Sequence, residues 1–285
     1  MRAGFVTQLL WSRYGPFWEK LLSDMGAEIV LPDAERTRRI YDGGRLDEIP
    51  AVAFRLAAAQ ALALEGVDVL VAPDLNPGEE VPRGGGQDPW IASFPDALAK
   101  TLGGLPNLVA VPAELGPGLE KAAVSTLHAV AREPALVRRV WERHRTLARP
   151  PRYAEPRWQP GPGARHAAGV VGQPWLLDDA LVARLQGTEL HLVPQHRLDP
   201  ALLRREGAQV DARLIGTDSE VLGAARYLER KGSISELIMV ADRGSGADMW
   251  LAGRVERSAH KPFRVVYLDD LAPEGEVAAL LAPGS

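Results

Sequence analysis

Cysteine is missing altogether from the 285 residues. That one absence excludes disulfides, thiolate nucleophiles, zinc–cysteine sites and cysteine-ligated iron–sulfur clusters. Long apolar runs are missing too, since none reaches the roughly 18 residues of a membrane span. The N-terminus has no basic segment leading into an apolar core, so a cytoplasmic protein with no membrane partner is expected. Nor is there a block of like charge. The formal net charge is -4, and phosphate binding needs clustered Lys and Arg, so nucleic acid is not expected as a partner. The one basic group, Arg138, Arg139, Arg143, His144 and Arg145, falls at helical spacing and reads as a solvated helix face. The six histidines form no His-Glu-x-x-His pattern, and no Gly-x-Ser-x-Gly elbow accompanies them, which leaves a hydrolase triad without support.

What is present is the balance of a globular chain, 46% hydrophobic and 25% charged, with length enough for two domains that each bury a core. Short apolar runs alternate with helical patterns. Ala3 to Leu10 reads as a first strand. Pro16 then opens a helix whose Phe17, Trp18, Leu21, Leu22 and Met25 share a face, and Gly26 suits its C-cap. A second strand at 27–31 completes a βαβ unit, for which a parallel sheet is the default. The pattern continues with a helix from Pro50 to Gly66, a strand at 67–72 and a Gly- and Pro-rich loop at 74–87. A helix over 95–102, a strand at 108–111 and helical residues from Pro117 to Ala148, broken at Pro134, complete this half.

Residues 149–166 are rich in Pro and read as a linker. Beyond it, strands at 168–172, 189–193, 237–241 and 265–268 alternate with helices at 178–185, 201–206 and 221–231. The expected fold class is therefore α/β, flavodoxin- or Rossmann-like. It has two domains, 1–148 and 167–285, each with a roughly four-stranded parallel sheet flanked by helices. No repeat between the halves is evident from the sequence. In such sheets ligands bind outside the carboxyl ends of the strands, which draws attention to the loop after the strand at 237–241.

An ordered series of short motifs resembles the 2-hydroxyacyl-CoA dehydratase subunit family, which includes the 2-hydroxyglutaryl-CoA dehydratase subunits and their activase-associated relatives. Tyr14-Gly-Pro-Phe-Trp18 resembles the family's opening. Pro50 with Gly66-Val-Asp-Val-Leu-Val-Ala-Pro73 resembles its Cys-x-Pro helix and following strand. Asp88-Pro-Trp90 resembles a Cys-Pro-Tyr segment, and Val171-Gly-Gln-Pro-Trp175 with Asp178 a Gly-x-Pro-Tyr turn. Asp242-Arg-Gly-Ser-Gly-Ala-Asp248 resembles Phe-x-Cys-Gly-Pro-Asp, and Asp269-Asp270 falls where the family has Asp-Glu-His. The match spans nearly the whole chain.

In that family, cysteines from three of these loops hold a [4Fe-4S] cluster. The resemblance puts Glu48, Asp88 and Ser245 at those positions, and Val52 where the family has a lysine. Hard oxygen ligands do not hold a cubane cluster, so no iron–sulfur cofactor and no radical dehydration are expected. What the resemblance implies instead is a non-redox protein that binds an acyl-CoA or another small anion, or serves as the accessory partner of a cluster-bearing homologue. Its cleft candidates are Glu48, Asp88 and Ser245. Its ligand-binding candidates are Trp90, Trp175, Asp178, Gly244, Gly246 and Asp248. The competing reading is an enzyme using the Glu48 and Asp88 carboxylates for acid/base or divalent-metal-assisted chemistry. Against both stands a plainer view. Asp88 before Pro89 suits a helix cap, and Gly244-Ser-Gly246 suits a tight turn better than a phosphate cradle.

Overall fold

The structure, a computed structural model, describes the chain except residues 76–88, 117, 132, 151, 155, 157, 160–165, 186–189, 215, 272–280 and 282–285. Strands β1 (Arg2–Phe5), β2 (Glu28–Val30), β3 (Val69–Asp74) and β4 (Asn107–Pro112) form one parallel sheet in the order β2-β1-β3-β4. Around it lie α1 (Trp11–Asp24), α2 (Ala34–Asp42), α3 (Val52–Ala63), α4 (Pro89–Ala92), α5 (Phe94–Thr101), α6 (Glu120–Val130) and α7 (Pro134–His144). A second parallel sheet, ordered β6-β5-β7-β8, comprises β5 (His166–Val171), β6 (Leu190–Pro194), β7 (Ile234–Ala241) and β8 (Phe263–Tyr267). Its helices are α8 (Asp179–Leu185), α9 (Pro200–Val210), α10 (Gly216–Glu229), α11 (Gly246–Ser258) and α12 (Leu268–Leu271). The expected class, two four-stranded parallel sheets flanked by helices, is the observed one.

Period-two alternation explains how the halves join. On the second sheet Ala168, Val170, Leu192, Ile238 and Val240 face one way, into an apolar interior continuous with that of the first sheet. Ala167, Val171, Val193, Leu237 and Met239 face the other way, into a smaller core under α9, α10 and α11.

Several local expectations shift. The first strand stops at Phe5, and residues 6–10 form a turn; Pro16 lies inside α1, which begins at Trp11. Helix α2 was not anticipated: Asp33 caps it by accepting the Arg36 N–H at 2.7 Å, and Thr37 and Tyr41 are its buried face. Gly26 takes φ +84, as its C-cap position requires. The Gly/Pro loop expected at 74–87 falls almost wholly outside the described residues.

The two sheets share one strand order. Once β1 and β5 are superimposed as the inner strand of each, a repeat becomes visible: Ala3-Gly-Phe-Val-Thr-Gln8 matches Ala168-Gly-Val-Val-Gly-Gln173 at four of six positions.

Candidate functional site

In each sheet the connections leave the inner strand in opposite directions, so the β1–α1 and β5–α8 turns sit at the topological switch points, on the carboxyl side. These two turns face one another. Thr7, Gln8, Trp11, Ser12 and Arg13 from the first and Pro174, Trp175, Leu177, Asp178 and Asp179 from the second line a cavity of about 550 Å³. Tyr153 and His196 also line it. A volume of that size suits a small organic ligand.

The β1–α1 turn is held from several sides. Tyr14, fully buried, donates its hydroxyl to the Val6 carbonyl at 2.8 Å, and burial pushes that phenol well above its ordinary pKa. Gln60 of α3 accepts the N–H groups of both Thr7 and Gln8 at 2.9 Å and donates to the Thr7 hydroxyl at 3.1 Å. Leu9 and Leu10 then adopt φ of 65 and 69, a left-handed conformation that side chains seldom take. Trp11 lies edge-on to Phe5 and Tyr14, with its indole over Gly15, where a Cβ would come within 2.4 Å of the ring. Hence the glycine in Tyr14-Gly-Pro: it leaves room for the tryptophan that lines the cavity.

The β5–α8 turn is relaxed by comparison. Gly172 donates to Gln195 Oε1 at 3.2 Å, Gln173 donates to Asp218 at 2.7 Å, and Asp178 caps α8 by accepting the Leu181 N–H at 2.7 Å. Trp175 backs onto Phe54 with centroids 5.5 Å apart, and Phe54 stacks on Trp90 at 5.8 Å. The α3 N-terminus, α4 and the β5–α8 turn thus meet in one aromatic cluster beside the cavity. On the other flank Arg13 makes a two-pronged ion pair with the fully buried Glu220 of α10, at 2.9 and 3.1 Å. Glu114 and Arg204 extend this into a four-membered network of alternating charge.

The residues singled out in the sequence have mixed fates. Asp88 lies outside the described residues. Glu48 is exposed. Ser245 is buried, and its hydroxyl caps α11 by accepting the Asp248 N–H at 3.2 Å. The loop carrying Ser245 does meet the turn carrying Glu48: Asp242 accepts the Val52 N–H at 2.6 Å, capping α3 from the other domain. Gly244 sits so close to the Pro50 carbonyl that a Cβ would lie 2.0 Å from its oxygen. The amides of this loop are already committed, Gly244 N–H to the Asp242 side chain and Ser245 N–H to the Asp242 carbonyl. Gly246 has open space around it. Trp175 and Asp178 line the cavity, whereas Asp248 is buried and accepts the Asp242 N–H at 2.9 Å. Burial pushes Asp248 up to about 8, and it raises Asp242 against the opposing hydrogen bonds from Val52 and Gly244.

No family model matches the chain, and no curated protein or solved structure does either.

An iron–sulfur cluster does not fit the residues present. The chain has no thiolate, the Ser245 oxygen is spent on a helix cap, and Glu48 points its carboxylate to solvent. Among the described residues no three His, Asp or Glu side chains are grouped to hold a metal ion. Sequence reasoning missed Gln8, Gln60, Arg13 and Glu220, whose roles depend on partners distant in sequence. A polar Thr7-Gln8 pair ending an apolar run was the one visible signal.

Proposed function

We propose that this protein binds a small organic anion or acyl thioester in the cavity between its two switch points, without redox chemistry. We further propose that it is a cluster-free relative of the 2-hydroxyacyl-CoA dehydratase subunits, with a cluster-bearing homologue as a candidate partner. The observation that supports ligand binding is the convergence of both inner-strand turns on one cavity of about 550 Å³. What supports binding over catalysis is the state of the carboxyl groups. Asp242 caps α3, Asp248 is buried and accepts the Asp242 N–H, and Glu48 stands in solvent, while of the two carboxylates that line the cavity Asp178 caps α8 and Asp179 is paired with His196 and Arg197.

The test is a titration of the intact protein with acyl-CoA esters, followed by melting temperature and tryptophan fluorescence. A saturable upward shift that is lost in Trp175→Ala, and retained in Glu48→Ala, supports the reading. A stoichiometric divalent metal that is lost in Glu48→Ala would establish the metal-assisted enzyme instead.

A further inference from the structure

We propose that the first turn of α1 is an oxyanion subsite of this cavity. It would take the carboxylate of a small amphipathic acid whose apolar body lies along Trp175 and Leu177. The inference rests on the cavity being a ligand site and adds which end of the ligand goes where.

Helix α1 is 14 residues long, and its N-cap, Leu10, supplies no side-chain acceptor. The N–H groups of Trp11 and Ser12 have no acceptor among the described residues. Both residues line the cavity, and the first turn holds no acidic side chain. Unpaired amides at the positive end of a helix dipole favour an anion.

An independent observation lies beside them. Gln8 is 3% exposed, lines the same wall, and its Oε1 has no hydrogen-bond partner among the described residues. A buried amide oxygen left unpaired is costly. Of that amide's two ends the NH₂ is the less enclosed, and it is a donor for the same oxyanion.

The charges on the other walls fix the direction. Arg13 reaches the cavity, but its guanidinium is already engaged by Glu220 and Glu114, so it is not the counter-ion. On the second turn Asp178 caps α8 and Asp179 is paired with His196 and Arg197, so neither of those cations is a free counter-ion. A singly charged acid therefore seats its carboxylate on α1 and its apolar part against Pro174, Trp175 and Leu177. The conformation of Leu9 and Leu10 turns the chain so that the helix opens onto the cavity.

The test uses benzoate and its neutral counterpart benzamide, titrated into the full chain with tryptophan fluorescence and melting temperature as readouts. Benzoate should bind at least about tenfold more tightly than benzamide. Ser12→Asp places a carboxylate on the subsite and should abolish that preference. Its melting temperature should be no lower, because an acidic residue favours the first turn of a helix. Ser12→Ala, which keeps both amides, should retain the preference, and Gln8→Leu should weaken it severalfold. Equal binding of the two probes overturns the subsite while leaving the cavity as a ligand site, as does undiminished benzoate binding by Ser12→Asp. Binding of acyl-CoA esters without benzoate has the same meaning. Failure of every probe and ester removes both readings.

Discussion

The inner strands β1 and β5 carry nearly the same residues into nearly the same place, yet the turns that follow are built in different ways. After β5, Gly172 and Pro174 supply the bend, one buried glutamine, Gln195, accepts one backbone N–H, and Asp178 caps the next helix. After β1 there is neither glycine nor proline before the helix. The bend falls on two leucines with positive φ, one glutamine from α3 takes two backbone N–H groups, and the helix starts uncapped. Strain of order 1–3 kcal/mol per residue in such a conformation persists only where surroundings over-determine it. Here the surroundings are Gln60, the buried Leu9 and Leu10 side chains and the Tyr14 hydroxyl. One strand order thus carries a settled wall in one sheet and a tensioned one in the other.

The contrast can be broken most severely at Glu220, which holds the strained element to the second domain. Glu220→Ala leaves the Arg13 and Arg204 charges without their buried partner and should cost about 3–5 kcal/mol of unfolding free energy in urea titration. Next come the two glutamines. Gln60→Leu orphans two buried N–H groups and should cost about 2–4 kcal/mol, whereas Gln195→Leu orphans one and should cost about 1–2 kcal/mol. Equal losses in that pair of denaturation experiments would mean the two turns are anchored alike. A separate effect is a pH dependence that arises in the second domain's loop. Asp248 is neutral in the folded protein until about pH 8 but ionises near 4 when unfolded, so the unfolded state binds fewer protons in that window. Its contribution is complete below pH 4 and is lost as the pH rises toward 8. Asp248→Asn should flatten this decline in melting temperature between pH 5 and 8. An unchanged slope would place the titration elsewhere.

The sheets were legible because a buried parallel strand is a short apolar run, and 69–72 and 237–241, inside the strands read at 67–72 and 237–241, are such runs whatever surrounds them. The β1–α1 turn was not. Val6 to Leu10 is as buried as a strand and contains no residue with a preference for left-handed backbone, so nothing local announces the bend. Pro16 looked like a first-turn proline and is an interior one. Helix α2 hid because seven of its nine residues lie outside its buried pair, although Asp33 was a readable cap. The repeat escaped because it is six residues long and shows itself only when hydrogen-bonding position, not spacing, aligns the strands. Of the cavity, Trp175 and Asp178 could be named from their proline turn. Gln8 and Arg13 could not, since their meaning comes from Gln60 and Glu220, dozens to hundreds of positions away.

Continuity of the apolar interior through both sheets has a mechanical corollary. With Phe54 of one half wedged among Trp90 and Trp175, the halves have no slippery seam along which to swing apart. A visitor to the cavity would enter between side chains and loops of a stiff body, and calorimetry should record one melting event for the pair.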